Sequence, residues 1–388
     1  MKILHIMANL APRYGGPSQA IVGMTESLSN LSHEVTIFTT NQDGDGVLDV
    51  STKEPIQRNG VTIRYFSIQT PRFFGTSFPM LRELKREIRK FDIVHIHSLY
   101  LFHGAVAAYY CRKYNIPYIV RPHGTLDPFL YKRHRGRKAI LEFLFENKNL
   151  NHAAALHYTT EEEWELAKEF INNPNGFVVP NGINLENYYS PKSLDEFYDK
   201  YPEIKDKKVV LFFSRLNFKK GLDLLIDSFT QVAKQKEDVH LMIVGPDNEG
   251  YGAQVKEWIK ENNIDNKVTF TGMLTGEEKL QALSVAEMFV LPSYSENFGI
   301  SVIEAMIMGL PVIISNKVNI YRELLKCDAG EVVNCNSEEL TRSILKLLDD
   351  TTYAQKLASN GEKMVKEYYQ WSEVGKSLEK NYKSIVNV

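Results

Sequence analysis

Short apolar runs alternate with longer amphipathic stretches from the first residues onward. KILHIMA is followed by a helical stretch from about Ser18 to Asn30, then by EVTIFTT, and further on come VTIRYFSI, DIVHIHS and PYIVRP. A strand buried on both faces reads as a nearly continuous apolar run, and strands alternating with amphipathic helices build a parallel sheet covered on both sides. The first half is therefore predicted to be a doubly wound α/β unit.

A polar interval, KSLDEFYDKYPEIKDK, follows FVVPNGINLENYYSP, and the alternation then restarts. KVVLFFSRL, a helix from Leu222 to Lys234, VHLMIVG, a helix near Gln254 to Glu261 and KVTFTG lead to EMFVLPS, a helix after Glu296, PVIIS and GEVVN, with helices over Ser337 to Val388. The pattern predicts two similar doubly wound, Rossmann-like domains, residues 1–190 and 191–369, with 370–388 packing back on the first. A chain of 388 residues has room for two ordinary cores. Ligands of such sheets bind beyond the carboxyl ends of the strands, so the expected site is a cleft between the two domains.

Composition narrows the classes. Apolar residues make up 43% and charged residues 24%, as in ordinary soluble domains, and a formal charge of -2 offers no global field for nucleic acid. The three cysteines Cys111, Cys327 and Cys335 have neither zinc spacing nor a C-x-x-C pair, which points to a reducing compartment and an expected cytoplasmic location. The apolar start is too short for a signal peptide and no stretch is long enough to span a bilayer. Contact with the inner membrane surface stays open.

The chemistry concentrates at predicted strand ends. SRLNFKKG follows VVLFF directly, which places Arg215 and Lys220 where a diphosphate would fit them; as isolated residues they also read as solvated loop charges. APRYGGPSQA puts Gly15 and Gly16 between the first strand and first helix, where a bare backbone can approach a ligand. The dinucleotide fingerprint G-x-G-x-x-G is missing there. In SYSENFGISVIEAMIMGLPVI, Glu296 precedes a helix and Glu304 lies within it, beside an otherwise apolar core. Unpaired carboxylates are disfavoured in such a place. Sugar hydroxyls on Glu296, a ribose diol on Glu304, and phosphate or sugar oxygens on the N–H groups of Phe298, Gly299 and Ile300 would satisfy the segment. The other reading makes Glu296 a helix-start charge and Glu304 the partner of a buried lysine.

Three further features bear on the chemistry. Asp43 and Asp45 in QDGDG have the spacing of metal-binding D-x-D, but Asp-Gly is ordinary turn chemistry and no metal site is expected. His95 and His97 share one face of a strand, with His103 nearby, and no further ligand for zinc is close in sequence. They are expected to line a core or a cleft. Lys132, Arg133, Arg135, Arg137 and Lys138 form a basic run just after Asp127, ahead of an amphipathic helix. Such a run suits an anionic membrane surface or a diphosphate-linked lipid acceptor, and it also suits a plain solvated face.

With these pieces in order, the sequence resembles the GT4 family of retaining glycosyltransferases with the GT-B fold, whose E-x7-E signature matches ENFGISVIE. The resemblance runs through VVPNGIN, SRLNFKKG, LMIVGP and VTFTG and covers nearly the whole chain. It implies that Arg215 and Lys220, with Gly299 and Ile300, bind the nucleotide diphosphate and that Gly15 and Gly16 approach the phosphates. Glu304 would hold the ribose, and Glu296, Asn297, Phe298 and Gly299, with the Ile300 backbone, the donor sugar. Gly245, Pro246, Gly272, Met273 and Leu274 would line the nucleobase pocket through backbone atoms. His123, in RPHGTLDPF at a strand end, matches the family's cleft histidine beside the donor sugar and, with Glu296, is the catalytic candidate. Asp127, Lys132, Arg133 and Arg135 would face the acceptor or the membrane.

The expected activity is retaining transfer of a hexose, with glucose favoured, from a nucleotide diphosphate sugar, with UDP favoured over GDP. The acceptor would be a hydroxyl of a glycan or polyprenyl-diphosphate-linked glycan in bacterial envelope or extracellular polysaccharide assembly. Neither metal nor cofactor is expected beyond the nucleotide sugar co-substrate, because cationic side chains and a helix end can neutralise the departing diphosphate. A sugar-nucleotide epimerase of the same fold and a non-catalytic sugar-nucleotide-binding protein are the alternatives. An NAD-dependent dehydrogenase lacks its glycine fingerprint.

Overall fold

The computed structural model describes residues 1–11, 16–131 and 135–387. The chain divides into two compact units, one of Met1–Gly182 with Trp371–Val388 and one of Ile183–Gln370. The first division falls earlier than the expected 190. Ile183 bridges to Gln370 and its N–H donates to the Tyr369 carbonyl at 2.7 Å, so the segment after Gly182 already belongs to the second unit.

Among the described residues the first unit has ten strands: β1 Lys2–Asn9, β2 Glu34–Thr40, β3 Gln42–Asp43, β4 Gly46–Val47, β5 Ile56–Arg58, β6 Val61–Phe66, β7 Ile93–His97, β8 Tyr118–Arg121, β9 Ala155–Tyr158 and β10 Gly176–Val178. Eight of them form one sheet in the order β10-β9-β8-β7-β1-β2-β6-β5, parallel except for β5 against β6, while β3 and β4 make a separate hairpin. One face packs Leu4, Ile6, Val94, Ile96, Val120 and Leu156 against the helix Phe102–Tyr114 and its neighbours. The opposite face packs Ile3, Ile93 and Ile119 against the helices Gly16–Asn30 and Trp371–Val386.

This last helix is seated by a slot that only glycine can leave open. A Cβ on Gly23 would lie 2.2 Å from the Trp371 indole, and one on Gly182 would lie 2.6 Å from it. Both distances are well below contact, so two glycines from separate segments admit the ring.

The second unit holds β11 Lys208–Phe213, β12 Val239–Val244, β13 Val268–Gly272, β14 Ala286–Leu291, β15 Val312–Ser315 and β16 Glu331–Val333, all parallel, in the order β13-β12-β11-β14-β15-β16. Every residue of β12 is buried, which is why its sequence shows no alternation. Some helical segments start on side-chain caps: the Asn336 side chain accepts from Glu339 N at the start of Ser337–Asp349, and Asn217 accepts from Lys219 N at 3.0 Å at the start of the turn Phe218–Lys220.

Candidate active site

In the second unit the loops after β11 and β14 bring the predicted diphosphate and sugar residues together. Gly221 has φ +67, and a Cβ there would lie 2.1 Å from the Pro292 carbonyl oxygen, so the Lys219–Gly221 turn and the Pro292–Tyr294 segment pack backbone to backbone. Tyr294 N donates to the Lys219 carbonyl at 2.7 Å, fixing the same approach. Lys220, only 8% exposed, points its ammonium onto the Glu296 carboxylate, which also accepts from Phe298 N at 3.4 Å. The Glu296 backbone is held in turn by the loop after β15: its N–H donates to Lys317 O at 3.0 Å and its carbonyl accepts from Asn319 N at 2.9 Å.

Burial alone would raise the Glu296 pKa, but the Lys220 charge and hydrogen bond, with Phe298 N–H and the charge of Arg215, hold it below the usual carboxylate range. Glu296 is therefore an ionised acceptor at neutral pH. Arg215 is exposed at the carboxyl end of β11 and makes no ion pair among the described residues. The helix Ile300–Ile307 starts beside them with Gly299 as N-cap at φ +76. Its first N–H groups have no intrahelical acceptor, and its dipole favours an anion there. One free cation, one cation shared with a carboxylate and a helix N-terminus thus meet at a strand end.

Glu304 already has protein partners. Its carboxylate accepts from the Tyr188 hydroxyl at 2.7 Å and from Lys279 Nζ at 3.2 Å, so Glu304 has a lysine partner, half-buried where the other reading expected a buried one. Burial and then the adjacent carboxylate keep the Tyr188 phenol protonated far above its usual range. Of the predicted base-pocket residues, Gly245 donates its N–H to the Gly272 carbonyl at 2.8 Å, and a Cβ on it would lie 2.0 Å from Ser214 O. Pro246 O accepts from Leu216 N at 3.0 Å; Met273 is exposed and Leu274 is buried.

In the first unit His123 follows β8 with φ +54, and Gly124 continues at φ +73. Left-handed backbone at a non-glycine residue needs support from its surroundings. Glu163 supplies it: one carboxylate oxygen accepts Gly124 N at 2.7 Å, and the other accepts both Thr159 N and Thr159 Oγ1 at 2.7 Å. Sequence reasoning missed Glu163. Its signal was TTEEE, where Thr160 caps the helix Glu161–Ala167 by accepting Glu163 N at 3.0 Å. Asp127 begins a short turn, its N–H donating to Gly124 O and its carbonyl accepting from Tyr131 N. Next to it, Tyr100 N donates to Glu146 at 2.6 Å and its hydroxyl to Glu142 at 3.0 Å, and burial pushes the Glu146 carboxyl up to about 7.

The structure leaves some predicted residues apart and corrects one expectation. Gly16 is exposed in the first turn of its helix with open space where a Cβ would be, while Gly15, Lys132 and Arg133 lie outside the described residues, as does the side chain of Arg135. Asp43 and Asp45 belong to the β3–β4 hairpin, whose turn has Gly44 at φ +58 and where Arg72 donates to the Gly44 carbonyl. The expectation that no further ligand-type residue lies near His95 and His97 does not hold in space. The parallel register sets His5 beside His95, and ring nitrogens of His5, His95 and His97 lie within 4.8 Å of one another. A pairing between β1 and β7, ninety residues on, has no local sequence signature.

Both Rossmann-like units agree with the comparisons. A family model described as Glycosyltransferase Family 4 matches residues 14–187, and one described as Glycosyl transferases group 1 matches residues 195–364. The chain belongs to the GT4 glycosyltransferases. Among sequence relatives of this GT4 enzyme, an uncharacterized glycosyltransferase of Methanocaldococcus jannaschii is 26% identical, covering 99% of this chain and 98% of the relative. A GDP-mannose:cellobiosyl-diphosphopolyprenol alpha-mannosyltransferase of Xanthomonas oryzae is 24% identical over 86% of this chain and 83% of its own. Among solved structures, sucrose-phosphate synthase of Thermosynechococcus elongatus superposes with a TM-score of 0.82 at 20% identity over 100% of both chains. HepE of Anabaena, in complex with UDP and glucose, does so with 0.77 at 19% identity over 99% of this chain and 100% of its own. The fold of this GT4 enzyme is that of the GT-B glycosyltransferases.

Proposed function

We propose that this GT4 enzyme transfers glucose from UDP-glucose, with retention at the anomeric carbon, to a hydroxyl of a lipid-linked glycan in envelope or extracellular polysaccharide assembly at the inner membrane surface. The observation that carries the proposal is the meeting of Arg215, the Lys220–Glu296 pair and the Gly299–Ile300 helix start at one strand end. In net terms the bond from the anomeric carbon to diphosphate breaks with its electrons leaving on oxygen. The acceptor oxygen bonds to that carbon, and the acceptor proton leaves with the nucleoside diphosphate. Arg215, Lys220 and the helix dipole offset the charge that develops on the leaving group. Glu296, ionised, orients sugar hydroxyls as an acceptor, and His123 is assigned to the donor sugar by its match to the family's cleft histidine. Glu304, held by Tyr188 and Lys279, takes the ribose. HepE with UDP and glucose, and relatives acting on diphosphopolyprenol-linked sugars, support the donor and acceptor classes.

Binding of donor to the folded protein raises its melting temperature by mass action. In a panel of UDP-, GDP- and ADP-sugars, UDP-glucose is expected to give the largest thermal shift and the fastest turnover, unchanged by EDTA. Preference for GDP-mannose would replace the donor assignment, and no shift with any sugar nucleotide would remove the site.

The acceptor side rests on an exposed apolar band. Ile140, Phe143 and Leu144 are exposed beside the basic run, and Phe73 and Phe78 are exposed nearby. Ring contacts of Phe74 with Phe145 at 6.2 Å and Phe102 at 6.1 Å, and of Phe78 with Phe102 at 5.9 Å, hold the segments together. No helix among the described residues is long and apolar enough to cross a membrane, so contact would be interfacial. Replacing Phe143 and Leu144 by alanine is expected to weaken co-sedimentation with anionic vesicles about 10- to 100-fold, with the affinity for UDP-glucose within about twofold. Unchanged vesicle binding would exclude this band.

A further inference from the structure

Among the described residues, five histidines stand on or beside one face of the first sheet, and their hydrogen bonds form two separate chains. In one, His157 Nε2 lies 2.8 Å from the Val179 carbonyl, His157 Nδ1 lies 3.3 Å from His95 Nε2, and His95 Nδ1 lies 2.5 Å from the Tyr382 hydroxyl. A carbonyl only accepts, so His157 carries its proton on Nε2, His95 donates from Nε2, and Tyr382 donates to His95. The carbonyl settles every tautomer in that chain.

In the other chain no carbonyl does so. His5 Nδ1 lies 3.0 Å from His97 Nε2, and His97 Nδ1 lies 3.1 Å from His123 Nε2. His5 and His97 are fully buried, while His123 is half-buried. The groups around them are Arg121 on β8, His95 on β7, His157 on β9, Tyr382 on the C-terminal helix and Glu163 behind the His123 turn. Arg121, itself fully buried, donates to Asn181 at 2.7 Å and places a fixed positive charge in this layer. Burial, with that charge, lowers His5 to about 3 and His97 and His123 well below the ordinary range, so all three rings are neutral. A neutral imidazole has one donor and one acceptor, which leaves two possible polarities.

The far end of the chain decides between them. Among the described residues His5 Nε2 is buried with no hydrogen-bond partner, so it is either an orphaned N–H or a bare lone pair. Orphaned buried N–H groups are the rarer of the two. The same unit already tolerates the lone pair: His103 Nε2 donates to the His97 carbonyl at 2.7 Å, which leaves His103 Nδ1 bare and unpartnered. With the lone pair on His5 Nε2, His5 Nδ1–H donates to His97 and His97 Nδ1–H donates to His123 Nε2.

We propose that His97 and His5 are positioning residues that lock His123 in the Nδ1–H tautomer, so that its free ring edge presents a hydrogen-bond donor, not a base, to the reacting sugar nucleotide. The kinetic part rests on the placement of His123 at the sugar; the tautomer does not. A metal ion shared by His5, His95 and His97 is the competing arrangement. All their ring nitrogens except His5 Nε2 are already hydrogen-bonded, and Arg121 adds positive charge with no carboxylate in the trio.

The test uses the full chain with 15N-labelled histidine and no added metal. Its ring resonances are expected to show His123 protonated on Nδ1 and bare on Nε2 between about pH 6 and 8. A proton on His123 Nε2, an even mixture, or a stoichiometric metal ion retained by the purified protein would overturn the proposal. In His97→Phe the two His123 tautomers are expected to mix. Turnover number with UDP-glucose should fall on the order of 10²-fold, as a wrong tautomer can cost that and more, with KM within about twofold. His97→Asn, whose amide can donate to His123 Nε2, should recover most of the loss. Equal kinetics in His97→Phe and the unmodified protein, or no advantage of asparagine over phenylalanine, would overturn the positioning role. If the unmodified protein turns over no sugar nucleotide, the placement of His123 at the sugar fails, while the ring resonances still decide the tautomer.

Discussion

Lys220→Ala is expected to lower kcat/KM for the sugar nucleotide by about 10²–10³-fold, the range found for removal of one preorganised charge-stabilising donor. Two losses combine. On the proposed reading the departing diphosphate loses one of its two cationic side chains, and Glu296, whose pKa that ammonium lowers, is left partly buried with Phe298 N–H and the more distant Arg215. Breaking one member of a buried pair costs more than removing both, because the surviving charge keeps its desolvation penalty. Steady-state kinetics on Lys220→Ala, Glu296→Gln and the double variant make this a double-mutant cycle. The double variant should be less impaired than the product of the single effects. Strictly multiplicative losses would show that the pair does not act together, and unchanged kinetics in Lys220→Ala would remove it from the site. Arg215, exposed and in no ion pair among the described residues, offers the contrast of a cation whose loss leaves no carboxylate stranded.

Gly221→Ala carries the largest expected effect on stability. Alanine at φ +67 costs about 1–2 kcal/mol from backbone preference alone, and its Cβ would lie 2.1 Å from the Pro292 carbonyl oxygen. Relief requires the loops after β11 and β14 to part, which also strains the Tyr294 N to Lys219 O bond. A total of about 3–4 kcal/mol corresponds to a drop in melting temperature of about 10 °C for a unit of this size. Gly276→Ala is the control: it too has positive φ, +54, but no atom lies within 4 Å of its Cβ position, so it should show the backbone part alone. Equal shifts in the two variants would mean that the close approach to Pro292 contributes nothing.

Much of this architecture was legible because a parallel sheet covered on both faces needs apolar runs such as VHLMIV, and a strand followed by a loop and an amphipathic helix needs little else. Arg215, Lys220 and Glu296 could be placed at strand ends for the same reason. Their pairing could not. Lys220 and Glu296 are 76 positions apart and Lys279 and Glu304 are 25 apart, and only strand order brings those loops together. The left-handed backbone of His123 gives no local signal, since it is imposed by Glu163 from a later helix. The histidine face was hidden likewise: His95 and His97 display a two-residue period, but His5, His123 and His157 join them through sheet register. The limit of inference from sequence lay in contacts between segments, not in the segments themselves.

The return of the last helix to the first unit sets the order in which the molecule can be completed. Domains usually fold as they leave the ribosome, amino-terminal first. Here the indole that fills the slot between Gly23 and Gly182, and the phenol that satisfies His95, arrive only at Trp371 and Tyr382. While the nascent chain is growing, the part of this sheet face that the helix Gly16–Asn30 leaves open therefore waits uncovered through synthesis of the entire second unit, and the first unit closes only after the second has been made.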